Sequence, residues 1–176
     1  MREILDIILK FQGILGAAFG AVVVLIATSL LKNSGKIYIY FRNWNIRYTK
    51  EDKTGDLIEI SDSDGAMYSN YSFEIEIINN SEIPRALRDI KVKFFSGNQL
   101  LVDSIPDDEA TRKAWAGGTI LSPLKIINLP SKQMVYYKIH GFIKEEDLKN
   151  LNKYKKVYFE ALNQSGKKIK RLINKK

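Results

Sequence analysis

The chain has 176 residues, a formal charge of +8, no cysteine and one histidine. Lack of cysteine excludes disulfides, thiolate metal sites and a cysteine nucleophile, and His140 alone cannot build a polyhistidine metal centre. Nine Tyr and eight Phe, set among branched aliphatics, are material for strands rather than helices.

Phe11 to Leu31, FQGILGAAFGAVVVLIATSLL, is 21 residues long without a charge, bracketed by Lys10 and Lys32. As a helix it covers about 30 Å, the thickness of a bilayer's hydrocarbon core. A signal peptide would need an apolar stretch of roughly 7 to 15 residues and a small-x-small cleavage site. This run is longer and offers only a poor site near Ala27, so it predicts an uncleaved single-pass anchor. The organisation expected is a short tail (1–10), a transmembrane helix (11–31), a hinge (32–35) and one compact domain (36–176). Asn33-Ser34-Gly35 is too brief for a flexible arm, which puts the domain close to the membrane.

Arg2 and Lys10 precede the span, partly offset by Glu3 and Asp6, whereas Lys32, Lys36, Arg42, Arg47 and Lys50 follow it. The positive-inside rule then places the chain in the cell membrane with its N-terminus out and its domain in the cytoplasm; an exported domain is the alternative. Gly16 and Gly20 form GxxxG, and Gly13, Ala17 and Ala21 lie on a neighbouring ridge, so two spans could approach closely and form a homo-oligomer.

KIYIY (36–40) alternates, and Trp44 to Tyr48 continues the pattern past a kink at Arg42-Asn43, predicting one bent strand or two short ones. EDKTGD (51–56) is a turn, Leu57 to Ile60 a short strand, and Asp62-Ser63-Asp64-Gly65 a second turn. The clearest strand is Tyr68 to Ile78, with Tyr71, Phe73, Ile75 and Ile77 on one face. Pro84 stops its ladder. Ile90, Val92 and Phe94 then alternate with Lys91, Lys93 and Phe95, and Ser96-Gly97-Asn98 turns them into Gln99 to Val102. Asp103 to Ser122 predicts a long loop, broken at Gly117-Gly118, with one helical turn around Asp108 to Lys113. Strands follow at Leu124 to Leu129 and Gln133 to Phe142, a short helix at Glu145 to Asn152, and a closing hairpin from Val157 to Ile173. Roughly seven to nine short strands with frequent turn signals predict an all-β, immunoglobulin-like sandwich behind the transmembrane helix, with a small β-barrel as the alternative.

The linkage of a glycine-rich span to GKIYIYFRNWNIRY and then to YSFEIEIINNSEIPRALRDIKVKF, over residues 11 to 95, resembles uncharacterised single-pass membrane proteins of low-GC bacteria with a C-terminal β-sandwich. That resemblance implies a structural module and carries over no catalytic residue.

No residue set specifies a reaction. The EF-hand-like start Asp62-Ser63-Asp64-Gly65 lacks the glutamate at position twelve, where Phe73 stands. Neither a GxSxG nucleophile turn, a P-loop nor a dinucleotide GxGxxG is present. No catalytic residue, cofactor or metal is therefore expected, and His140 is expected as an ordinary strand residue. From Lys149 to Lys176 ten basic residues face Glu160 alone, making the C-terminal edge either a solvated basic strand edge that discourages edge pairing or a surface for a polyanion. Lys167, Lys168, Lys170 and Arg171 head that surface; anionic lipid is the nearer partner and nucleic acid the more remote. Trp115, in the long loop, is expected to fold back and cap the sandwich, with an exposed anchor for a protein partner or for headgroups as the alternative. The leading expectation is a membrane-anchored, non-enzymatic binding or assembly module. The alternative is a membrane effector or sensor whose β-domain binds an anionic ligand and drives oligomerisation of the span.

Overall fold

A computed structural model describes residues 2–115 and 118–176. Helix α1 runs from Arg2 to Asn33, so the residues ahead of the apolar run are helical with it. Its apolar stretch makes no buried contact with the rest of the chain. Among the described residues eleven strands and one short helix follow. They are β1 (Ile37–Glu51), β2 (Leu57–Ile60), β3 (Tyr68–Asn79), β4 (Arg85–Ser96), β5 (Gln99–Ser104), β6 (Asp107–Trp115) and β7 (Gly118–Pro123), then β8 (Ile126–Leu129), β9 (Gln133–Lys144), α2 (Glu145–Leu151), β10 (Lys156–Leu162) and β11 (Lys168–Lys175).

Two antiparallel sheets stack face to face. The first has the order β2-β1-β3-β9-β6-β7, the second β11-β10-β4-β5, with β8 paired to the start of β4. Both sheets end in open edges, so the chain forms a sandwich and not the barrel alternative. Period-two alternation builds the core: Tyr71, Phe73, Ile75 and Ile77 from β3 meet Ile90, Val92 and Phe94 from β4 and Phe159 from β10. Leu148 and Leu151 of α2 close one end.

β1 is a single strand bent by a bulge. Arg42 pairs with Glu74 and Asn45 with Ser72, so Asn43 and Trp44 together oppose Phe73. Asn43 takes a left-handed backbone (φ 53°). The extra residue matters because Ile37, Ile39 and Phe41 face the core at odd positions while Trp44, Ile46 and Tyr48 face it at even ones. Without the bulge one half of the strand would present its apolar set to solvent.

One expectation is corrected. The stretch read as a loop with a helical turn at 108–113 is the hairpin β6–β7. Its strands pair at both ends but are irregular between Asp108 and Lys113, and most of their residues are exposed on both faces. No apolar alternation is left to mark them. Gly117, half of the glycine pair expected to break that loop, lies outside the described residues, as do Met1 and Ala116.

Candidate interaction surfaces

Where helix meets sandwich, the chain is tied closely. The Ser34 hydroxyl and amide both donate to Leu31 O (2.8 and 3.2 Å), and the Asn80 amide donates to Lys36 O (3.0 Å). A Cβ at Gly35 would overlap the Ser81 backbone, so only glycine lets the chain pass. Beneath this contact Asn79 is fully buried. Its amide donates to Ile83 O (2.9 Å), Leu129 O (3.1 Å) and Pro130 O (3.0 Å), while its Oδ1 accepts from the Ser81 amide (3.1 Å). Asn79 thereby locks the loop after β3 to the β8–β9 turn. The same two loops face the end of α1 across a cleft of about 300 Å³ lined by Thr28, Leu31, Gly35, Asn80 and Lys132.

A larger cleft, about 430 Å³, lies between the outer face of the first sheet and the β6–β7 hairpin, lined by Asn45, Arg47, Ser72, His140, Arg112 and Thr119 among others. Glu109 organises its rim. Its carboxylate accepts two hydrogen bonds from Arg112 (2.5 and 2.7 Å) and stands 2.7 Å from His140 Nε2. The Arg112 hydrogen bonds, with the charges of His140 and Lys138 adding to them against partial burial, hold Glu109 below the usual carboxylate range. The cleft offers hydrogen-bond donors with its charges already largely matched. Trp115, on this hairpin, does not fold back: it is 72% exposed.

Lys167, Lys168, Lys170 and Arg171 come together at and on β11, an edge strand, far from Trp115, which belongs to the other sheet. Three of the four side chains are engaged within the protein, Arg171 through an Nη1 hydrogen bond to Lys170 O (3.1 Å). Lys168 Nζ lies 3.2 Å from Glu160, which also accepts from Lys93 at 2.8 Å. Partial burial raises the Glu160 pKa, but the hydrogen bonds and charges of Lys93 and Lys168 outweigh it and leave the group below its ordinary value. Lys170 Nζ sits 4.0 Å above the Phe95 ring and 4.2 Å above that of Tyr158, a cation–π pair that covers the sheet's outer face. The turn Asn163–Gly166 before β11 lies beside Ile37, so Lys167 and Lys168 stand at the end of the sandwich from which α1 leaves.

Small residues of α1, Gly13, Gly16 and Gly20, have nothing within 4 Å of where a Cβ would be, and Ala17 and Ala21 are exposed beside them. The acidic turns are structural: Asp52 accepts from the Thr54 and Asp56 amides, and Asp62 from the Asp64 amide. Among the described residues no group of three or more His, Asp or Glu is placed to hold a metal ion. The Asn79–Ser81 lock and the Glu109–Arg112–His140 cluster were not anticipated. The first left only Asn-Ser after a strand as its signal, and the second an acidic residue three before an arginine.

Helix, sheets and bulge together define an immunoglobulin-like sandwich carried directly behind an exposed apolar helix. Residues 35–174 match the family described as the YopI Ig-like domain, and the chain belongs to that family. It is 40% identical over 172 residues to the SPbeta prophage-derived uncharacterized protein YopI of Bacillus subtilis (strain 168), covering 97% of each chain. This agrees with the low-GC bacterial group that the sequence resembled. Among solved structures, the putative ApaA protein from Bordetella pertussis overlaps 81% of this chain and 91% of its own at 10% identity and a TM-score of 0.34. A structural genomics X-ray target overlaps 82% and 84% at 13% identity and a TM-score of 0.32. Overlaps this loose carry no argument about function.

Proposed function

We propose that the chain is a membrane-anchored module that holds its Ig-like sandwich at the cytoplasmic face of the cell membrane for binding or assembly rather than catalysis. The observation that carries this reading is the run Phe11–Leu31, with a mean hydropathy of 2.5 and no share of it buried in the protein. A continuous apolar surface of that size is unstable in water and finds cover in lipid or in other helices. The tight passage at Gly35 supports the same reading, since it would transmit the orientation of the span to the sandwich. Association of spans along Gly13, Gly16, Ala17, Gly20 and Ala21 would make the module a homo-oligomer. A protein partner then meets the exposed sandwich surface, with Trp115 and the β11 edge as candidates.

A second reading, a sensor whose sandwich binds an anionic ligand, would use the cleft lined by Arg47, Arg112 and His140 as a set of hydrogen-bond donors, since Glu59 and Glu109 already match their charges. The test of the first is fractionation of cells making the full chain. It should pellet with membranes and resist carbonate extraction; recovery of a processed soluble form lacking the apolar run would overturn the anchor.

A further inference from the structure

We propose that the part of the first sheet's outer face nearest α1 is a lipid-contact surface that seats the sandwich in the headgroup layer of the bilayer. The proposal rests on the membrane-anchored reading above and adds where on the sandwich the bilayer touches.

Strand register assembles the surface. Ile37, Asn79 and Gln133 form the row at the end of the sheet where α1 leaves. Tyr38, Ile78 and Met134 form the next row, and Tyr40, Glu76 and Tyr136 lie two residues beyond it. The intervening row, Ile39, Ile77 and Val135, packs on the core, so the other two face outward. Four of these outward residues are exposed: Tyr38 by 42%, Tyr40 by 49%, Met134 by 58% and Tyr136 by 45%. The one carboxylate among them, Glu76, is bound by Arg42 Nη2 at 3.1 Å, so the patch presents no unmatched negative charge.

Three features select lipid as the occupant. The first is composition: tyrosines, with an apolar body and a polar tip, concentrate at membrane–water boundaries. The second is height. At about 3.3 Å per residue the patch fills about the first 10 Å of the sheet, close to the roughly 5–8 Å that headgroups add to each side of the hydrocarbon core. Only a short, tied segment separates Leu31, the last apolar residue of the span, from Ile37, so the patch cannot stand far from that layer. The third is charge. Lys36, Lys132, Lys167 and Lys168 surround this end; Lys132 matches Glu82 at 3.0 Å and Lys168 lies 3.2 Å from Glu160, so the net positive charge there comes from Lys36 and Lys167. That balance suits anionic headgroups.

The absence of cysteine makes the test direct. Single-cysteine variants of the full chain, Met134→Cys, Tyr136→Cys, Phe19→Cys and Asn98→Cys, are labelled with an environment-sensitive fluorophore. Each is reconstituted in vesicles of phosphatidylcholine and phosphatidylglycerol carrying a nitroxide on the headgroup or on the acyl chain. Headgroup nitroxide should quench the labels at 134 and 136 several-fold more than the label at 98, on the far β4–β5 turn, while acyl-chain nitroxide quenches the label at 19. Labels at 134 and 136 that behave like the label at 98, with 19 still quenched, overturn the lipid surface and leave the anchor standing. Failure of quenching at 19 removes the anchor and the lipid surface with it. Labels at 134 and 136 shielded from a water-soluble quencher yet untouched by either nitroxide would show a protein occupant, a second copy or a partner, and would equally overturn the proposal.

Discussion

Asn79 ends β3 fully buried, and its single side chain satisfies three carbonyls belonging to two different loops. An apolar residue of that size would withdraw the donor from the buried Leu129 O and from Pro130 O, while Ile83 O would keep the Ser81 hydroxyl. Asn79→Ala should therefore lower stability by about 3 kcal/mol, read as a drop in the urea midpoint, with the loop 80–84 losing protection from hydrogen exchange first. Glu160 supplies the residue-scale response to pH. Its folded pKa is depressed by Lys93 and Lys168 despite partial burial, so its contribution is present above the unfolded carboxylate value, about 4.3, and is lost as pH falls through the lower folded value. Acid titration of unfolding should show this loss below about pH 4, and Glu160→Gln should flatten it. An unchanged acid limb in that variant would show that Lys93 and Lys168 contribute nothing through the carboxylate.

Elements buried on one face announced themselves; of the largely exposed strands, β2 and β11 were legible from the turns beside them, and β6 and β7 were not. β3 and β4 alternate because one side of each meets the opposite sheet, which is why Tyr71, Phe73, Ile75, Ile77, Ile90, Val92 and Phe94 could be named from sequence as core. The β1 kink was also legible, since Arg42-Asn43 interrupts the alternation at the bulge itself. β6 and β7 carry no such imprint, and the acid-rich start of β6, with Glu109 and Arg112 three apart, imitates a helical turn. The tyrosine patch was half visible: KIYIY shows Tyr38 and Tyr40 on one face, but only strand register sets Met134 and Tyr136 beside them. Close packing between elements is testable at Gly141 of β9, where a Cβ would overlap the ring of Tyr71. Gly141→Ala should push that ring outward, break the 2.9 Å hydrogen bond from Tyr71 to Ser104 and destabilise the domain by about 1–3 kcal/mol, as overpacked cores do. A thermal midpoint equal to the parent's would mean the strand can shift to admit a methyl group.

On the membrane-anchored reading proposed above, the decisive variable for the whole molecule is the side of the membrane on which the sandwich would stand. The span is followed within twenty residues by Lys32, Lys36, Arg42, Arg47 and Lys50 and preceded by Arg2 and Lys10, whose charge Glu3 and Asp6 partly offset. Basic residues so placed hold their side in the cytoplasm, and the same side offers the anionic leaflet to which Lys36, Lys132, Lys167 and Lys168 are suited. The two arguments share only Lys36 and agree. A C-terminal epitope on the full chain should accordingly resist protease added to intact spheroplasts and be cleaved once they are lysed. Changing Lys32, Lys36 and Arg42 together to Gln should raise the fraction cleaved from outside, because the flank then loses most of its charge advantage over the N-terminal side. Complete digestion of the parent from outside would place the sandwich in the exterior, and the basic end would then face the outer leaflet, where its charge has less to bind.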